Sequence, residues 1–379
     1  MGYPYILAAE GRPTVFWKDW YWYGLSKDIK WQMALRAYTA KGTSDDCASP
    51  GPMSPDWTVT GYTTDNNGGN MFALRRNGLT GGVSDGMVLG LNDDDDLEHA
   101  MWVNTPFSNK YLKDYSDGYL FQSTQAFGDS RAVIKAQKRD YSWWSVTGLY
   151  PKSPGTASSH FNMNATPGGC PHFIALRAAD AANLIVNGAP IAAGDEVAVK
   201  NAAGQVAGIG RIGQQFKWDG VKDMIIEVLG APSANGMAGG EVFRVFVWDA
   251  SAATEIEIGT VQYAAAGSTF TFAPDRPNSP NRNGNFSTFP VTTTATGTFS
   301  CQGISRILAF NTELAASQPF CATDQADAAT YNSGWTNGLN GGTGFGAWAL
   351  SGSANSGFFI GSSAEIGRAS CRERVSSPV

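Results

Sequence analysis

A dense group of aromatic residues near the start of the chain has side chains suited to sugar binding. Five of them form what we call the aromatic cluster: Trp17, Trp20, Tyr21, Trp22 and Tyr23. An aromatic face packs against the C–H face of a pyranose, while nearby polar side chains bind its hydroxyl groups. We therefore predict four consecutive substrate-binding residues: Trp17, Lys18, Asp19 and Trp20. The alternative is that these aromatic side chains only pack within the fold.

Three other patterns contain possible ligands for a metal or a phosphate, and each has a plainer interpretation. The acidic run Asp93–Asp96 lacks the spacing of an EF-hand loop, so we expect a solvated turn between strands. The string Gly208–Gly213 matches G-x-G-x-x-G, but no convincing helix follows it, so we expect glycines in a β turn. The spacing of His160, Cys170 and His172 is irregular for zinc. We predict no catalytic residue, no metal ligand and no cofactor in this chain.

The cysteines leave two questions about disulfides open. Cys301 and Cys321 flank a short segment, and a disulfide between them is one of two alternatives in an oxidising compartment. Cys47 and Cys170 could pair with each other or stay free.

The sequence around the aromatic cluster predicts a helix, a strand and a second helix. Residues 1–11 have the pattern of a helix end, with Gly11 at its C-terminal side. Thr14–Trp17 is an apolar run that predicts a short buried strand, and a second helix is expected from Ser26 to about Ala40. A lone strand of this kind exposes an unpaired edge. Deleting residues 1–40 is therefore predicted to improve solubility.

The remainder of the chain reads as short strands separated by turn-forming residues. Regular strands with turn signals predict antiparallel β-sandwiches, and Asn187-Gly188 is a strong hairpin signal. The predicted division consists of β modules, linkers and a tail: a sandwich at 43–150, a linker at 151–169, a second β module at 170–273, a linker at 274–300, a truncated third β module at 301–364 and a non-native, adapter-like tail at 365–379.

Composition excludes several classes of protein. Hydrophobic residues make up 42% of the 379 residues and charged residues 16%, which is unlike a disordered acidic chain or a coiled coil. The net charge of −6 argues against a nucleic-acid binder, which would carry a basic face. No apolar run reaches the roughly 18 residues of a transmembrane helix. Abundant glycine and aromatic residues are typical of turn-rich extracellular β domains.

The first 150 residues resemble the C-terminal end of an α-amylase-family glycoside hydrolase. The resemblance rests on the string from Gly2 to Trp17, which is similar to the helix and last barrel strand of that family, and on Ser84–Asn92, which is similar to the sandwich after the barrel. Gly194–Val199 and Phe243–Asp249 are similar to a β module of secreted bacterial proteins. These likenesses imply a mainly β fold: a (β/α)8 barrel remnant at 1–42, an antiparallel sandwich, a second sandwich-like module and a truncated third one.

The resemblance also implies a function. The parent enzyme would be a secreted or cell-surface retaining hydrolase of α-1,4-glucans such as starch, and a starch-like polysaccharide would be the partner. Its catalytic carboxylates, and any calcium site, would lie in barrel segments that this sequence does not contain, which would also explain why no signal peptide opens the chain. In such barrels, functional groups lie at the C-terminal ends of strands, where Trp17–Trp20 fall. The alternative is a non-catalytic extracellular protein for carbohydrate binding or surface attachment.

Overall fold

Strands dominate the secondary structure of this chain, and the predicted mainly β fold is confirmed. The computed structural model describes residues 2–46, 63–64, 70–79, 84–116, 119–149, 159–212, 223–272, 288–293 and 297–311. All of them belong to one compact unit, residues 1–312. The predicted tail at 365–379 and most of the predicted third module lie outside the described residues.

Three α-helices open the chain: α1 (Gly2–Ala8), α2 (Trp17–Tyr21) and α3 (Ser26–Thr39). Both predicted helices are confirmed, and the backbone after α1 turns at Gly11 with a φ of 95°. Within the described part of the chain, no helix has the length and apolar character that crossing a bilayer requires.

The predicted strand at Thr14–Trp17 is wrong. Residues 12–16 are not paired with any described strand, and α2 already begins at Trp17. The carbonyl of Phe16 accepts hydrogen bonds from the backbone N–H groups of Asp19 and Trp20, which starts the helical turn. An apolar, β-prone run becomes a strand only where a neighbouring strand is available to it, and none is adjacent here.

The first sandwich consists of two sheets that share one apolar core. The larger sheet has the order β1-β3-β4-β9-β6-β7, and the smaller one has the order β2-β5-β8. The strands are β1 (Ser44–Asp46), β2 (Thr63–Thr64), β3 (Met71–Arg76), β4 (Met87–Asn92), β5 (His99–Asn104), β6 (Tyr111–Asp114), β7 (Thr124–Gln125), β8 (Arg131–Ala136) and β9 (Asp140–Val146). Met71 and Val88 of the larger sheet pack with Val103 and Ile134 of the smaller one.

The N-terminal helices cover the outer face of the larger sheet. Trp31 and Leu35 of α3 are buried against Leu74, Met87 and Trp143. The Trp31 indole donates a hydrogen bond of 2.7 Å to the carbonyl of Tyr115. Removing residues 1–40 would therefore expose a large apolar face. The premise of the predicted gain in solubility is wrong, because residues 12–16 form no strand and the helices pack into the core of the first sandwich.

The second sandwich follows the same plan with more strands. One sheet has the order β12-β11-β21-β10-β15, and β18 also pairs with β21. The other sheet has the order β14-β13-β16-β17. Strands β19 and β20 form a separate pair. The strands are β10 (Pro171–Leu176), β11 (Leu184–Val186), β12 (Ala189–Pro190), β13 (Glu196–Lys200), β14 (Val206–Arg211), β15 (Met224–Leu229), β16 (Arg244–Asp249), β17 (Thr254–Glu257), β18 (Val261–Tyr263), β19 (Thr269–Phe270), β20 (Phe289–Pro290) and β21 (Ile304–Asn311), with a 3₁₀ helix at Ala178–Asn183. The predicted hairpin turn at Asn187-Gly188 joins β11 to β12, and both turn residues have positive φ.

Contacts between distant parts of the chain change three parts of the predicted division: the start of the third module and the two linkers. Strand β21 lies between β10 and β11 in parallel register, so residues 304–311 complete the second sandwich and do not open a third module. The described parts of both predicted linkers are packed. The N–H of Asn164 donates to the carbonyl of Val206, and Phe289 pairs with Phe270.

The disulfide joins Cys170 to Cys301, and neither predicted alternative for these two residues included that pair. The residues are 131 positions apart in sequence, but β21 runs beside β10, and this brings their starting points together. This pairing excludes the alternative of a Cys301–Cys321 disulfide and both alternatives left open for Cys170, a pair with Cys47 or a free thiol. Cys47 and Cys321 lie outside the described residues.

Candidate functional site

Helix α2 presents the aromatic cluster on the surface. Trp17 is 51% exposed, Trp22 68% and Tyr21 73%, whereas Trp20 is half-buried. The rings of Trp17 and Trp22 meet edge to face, with centroids 5.3 Å apart and planes at 83°. The two indoles therefore form a right-angled corner whose outer faces are open to solvent.

Two lysines lie over the indoles of the cluster. The ammonium nitrogen of Lys18 is 5.4 Å from the ring centroid of Trp22, and that of Lys30 on α3 is 5.3 Å from Trp20. At these distances a cation is attracted to the negative face of an aromatic ring, an effect of about 0.5–1 kcal/mol at exposed sites. Lys18 thus supplies hydrogen-bond donors beside the corner, whereas Lys30 lies over Trp20, which is not one of the two rings of the corner.

Asp19 is held by a tyrosine from α1. The Tyr3 hydroxyl donates a hydrogen bond to the Asp19 carboxylate and accepts one of 3.0 Å from the N–H of Phe16. The bond to Asp19 raises the pKa of the Tyr3 phenol, which keeps it a donor at neutral pH. This small network ties the start of α2 to α1.

The structure brings the four predicted residues Trp17, Lys18, Asp19 and Trp20 onto one short helix and adds Trp22 to them. The arrangement combines open aromatic faces, an ammonium group and a carboxylate. These groups can pack against a sugar ring and hydrogen-bond its hydroxyls. In the part of the chain that the structure describes, no group of three histidine, cysteine or acidic side chains is placed to hold a metal ion.

The acidic run Asp93–Asp96 forms the turn between β4 and β5. The Asp94 carboxylate accepts hydrogen bonds from the backbone N–H groups of Asp96 and Leu97, at 2.7 and 2.9 Å. Its other oxygen is 2.9 Å from Nε2 of the buried His99. The hydrogen bonds lower the pKa of Asp94 to about 2, and the one with His99 is the largest contribution. The carboxylate stabilises the turn, as the plainer interpretation of the sequence predicted.

The described glycines of the G-x-G-x-x-G string lie in strand β14 and not in a turn or a phosphate-binding loop. A Cβ at Gly208 would be 2.8 Å from the carbonyl oxygen of Glu227, and one at Gly210 would be 2.7 Å from the sulfur of Met224. These glycines are required because β14 and β15 pack closely. Rejection of the dinucleotide motif is supported, whereas the β turn expected for Gly208 and Gly210 is wrong.

The three possible zinc ligands do not form a common site. Cys170 is in the disulfide, and the His172 ring nitrogens contact the backbone of Ser300 and the hydroxyl of Ser305. The ring of His160 stacks on Trp248 at 3.8 Å, with Nε2 2.9 Å from a Glu255 oxygen. No sequence pattern indicated this stack, because His160 and Trp248 are far apart in the chain.

A comparison with models of known protein families finds no match for this chain, and a comparison with curated proteins finds none either.

Proposed function

We propose that this chain is the C-terminal, glucan-binding part of a secreted α-amylase-type glycoside hydrolase that acts on α-1,4-glucans such as starch. One observation carries the proposal. Four aromatic side chains of the cluster are more than half exposed, and two of them form a corner, with the ammonium group of Lys18 over one of the two rings. A soluble surface rarely exposes so much apolar area in one place unless a ligand or partner covers it.

Two further features support this proposal. The Cys170–Cys301 disulfide is typical of proteins that function in an oxidising, extracellular compartment, so we propose that the chain is secreted or displayed at the cell surface. The resemblance of Ser84–Asn92 to the sandwich that follows an amylase barrel supplies the substrate class. It also places the hydrolytic carboxylate pair in other segments of the parent enzyme, so we expect no hydrolysis of starch by this chain alone.

Binding can be tested by calorimetric titration of the full chain with maltoheptaose, a short α-1,4-glucan. We expect Trp22→Ala to weaken binding by about tenfold, which corresponds to about 1.4 kcal/mol, because it removes half of the corner. Phe127→Ala is the matched control, since Phe127 is 50% exposed but lies in the first sandwich. It should bind maltoheptaose as the unaltered chain does.

The outcomes separate the candidate functions. Glucan binding that survives Trp22→Ala and Trp17→Ala would favour the alternative, a non-catalytic protein that binds carbohydrate through its β modules. Absence of binding at millimolar maltoheptaose would contradict both candidates. Release of reducing sugar from soluble starch by the purified chain would contradict the expected lack of hydrolysis.

A further inference from the structure

Helix α2 is too short to hold its conformation alone. It spans five residues, none of them buried, and an isolated helix of fewer than about 12 residues is marginal in water. Its N-terminal cap is Phe16, whose side chain cannot bind the free N–H groups of the first turn. Contacts with neighbouring elements must therefore keep α2 helical.

The Tyr3 hydroxyl of α1 takes the place of a side-chain cap. It accepts a hydrogen bond of 3.0 Å from the N–H of Phe16 and donates one to the carboxylate of Asp19, in the middle of α2. Among the described residues, the bond to Asp19 is the only side-chain hydrogen bond to α2. One hydroxyl group thus joins the start of α2 to its central residue.

Helix α1 can support α2 because it is itself firmly packed. Leu7 and Ala8 are fully buried, and Arg36 of α3 donates hydrogen bonds of 2.6 Å to the carbonyls of Leu7 and Ala9. Tyr3 therefore connects an exposed helix to one that is fixed on the first sandwich.

The corner of the aromatic cluster depends on the conformation of α2. Trp17 is the first residue of α2, and Trp22 caps its C-terminal end. The N–H of Trp22 donates a hydrogen bond of 2.8 Å to the carbonyl of Lys18, and this helical turn brings the two indoles to 5.3 Å between centroids. Unwinding of α2 would separate the rings and remove the corner.

We propose that Tyr3 and Asp19 are a positioning pair for this corner. Their hydrogen bond keeps α2 helical and thereby holds the two indoles in contact. Asp19 acts through Tyr3 and not by binding a sugar hydroxyl, which leaves direct sugar contact to Trp17, Lys18 and Trp22. As far as it concerns glucan, this inference rests on the proposed function.

Removal of the Tyr3 hydroxyl tests this role. In Tyr3→Phe both hydrogen bonds are lost while the ring is kept, so α2 is helical for a smaller fraction of the time. Apparent affinity falls with the populated fraction of the binding conformation, and we expect maltoheptaose to bind about tenfold more weakly. Urea unfolding should be unchanged, because α2 buries no residue. Tyr5→Phe is the matched control: Tyr5 is also on α1, but its hydroxyl has no hydrogen-bond partner in the described part of the chain.

A double-mutant cycle separates positioning from direct sugar contact. If Asp19 acts only through Tyr3, Asp19→Ala should weaken maltoheptaose binding as much as Tyr3→Phe does, and the double variant should bind no more weakly than either. Losses that multiply in the double variant would show that Asp19 contacts the sugar and would contradict the proposal. So would unchanged affinity in Tyr3→Phe, or a loss of affinity that a fall in the urea midpoint accompanies.

Proton NMR of the indoles reports on the corner without glucan. Ring protons that point at the face of a second aromatic ring resonate upfield, so the edge-to-face contact of Trp17 and Trp22 has its own signature. The shifted resonances, identified by their loss in Trp17→Phe and Trp22→Phe, should move downfield in Tyr3→Phe and not in Tyr5→Phe. If they do not move in Tyr3→Phe, the positioning role is wrong. If they move but the unaltered chain binds no maltoheptaose, the proposed function fails and the positioning role stands.

Discussion

His172 illustrates how burial sets the chemistry of one residue. Its Nε2 is 2.9 Å from the Ser305 hydroxyl, and its ring packs edge to face against Phe243. Burial lowers the pKa of His172 to about 4, although the contact with the backbone of Ser300 opposes this shift. The residue is therefore neutral at physiological pH, and both its ring nitrogens contact protein groups within the core.

This shift predicts a pH dependence of stability. Between about pH 4 and 6.5 the unfolded chain holds a proton on His172 that the folded chain does not. The free energy of unfolding should therefore rise with pH across this window, by at most about 3 kcal/mol from this residue, and fall as pH is lowered from 6.5 to 4. Urea unfolding of the unaltered chain and of His172→Gln at several pH values measures the contribution. An identical slope in both proteins would contradict it.

At the scale of single elements, the sequence pattern of α3 predicted the helix but not which of its faces is buried. The spacing predicted the helix, but α3 buries Trp31 and Leu35 and leaves Met33 and Tyr38 largely exposed. Which stripe of a helix is buried depends on the sheet that packs against it. That sheet is assembled from strands as distant as β9, and their positions cannot be read from the helix itself.

Trp31→Ala tests the integration of α3 with the first sandwich. Trp31 is 1% exposed, so we expect a loss of about 3–5 kcal/mol in the free energy of unfolding from the cavity and the lost hydrogen bond to Tyr115. Met33→Ala, two residues away and 40% exposed, should change it by about 0.5 kcal/mol or less. Urea unfolding measures both. Similar losses in the two variants would mean that α3 does not depend on this packing.

Local patterns predicted most strands, while pairing between distant segments remained unpredictable. Short strands with turn signals predicted an antiparallel sandwich at 43–150, and the structure has one there, in which the adjacent Trp143 and Trp144 face opposite cores. The partner of Cys170 and the place of β21 depend on chain segments more than a hundred residues apart. In the candidate site, sequence identified the residues of α2, but the corner between Trp17 and Trp22 follows from the helical turn that replaced the predicted strand.

At the scale of the whole described unit, the two sandwiches share a buried interface. Lys113 of β6 is 2.6 Å from the buried carboxylate of Glu227 on β15, which also accepts the N–H of Gly148. Phe121, in the connection between β6 and β7, packs into the core of the second sandwich. Removing one partner of such a buried ion pair lowers the free energy of unfolding by several kcal/mol. The predicted independent modules therefore behave as one body where they meet.

The substitution Phe121→Ala should uncouple the unfolding of the two sandwiches. The Phe121 ring contacts those of Phe173, Phe270, Phe272 and Phe289, with the nearest centroid 4.6 Å away. Its truncation removes the aromatic contacts at the centre of the interface, so we expect a loss of about 3–5 kcal/mol.

Calorimetry distinguishes uncoupling from a general loss of stability. One unfolding transition in the unaltered chain should become two in Phe121→Ala, because each sandwich keeps its own core while the contacts that join their unfolding are lost. Phe127→Ala, in the next connection, between β7 and β8, and 50% exposed, should retain the single transition. A single transition in Phe121→Ala at the original temperature would show instead that the Lys113–Glu227 ion pair and the other contacts between the sandwiches suffice to couple their unfolding.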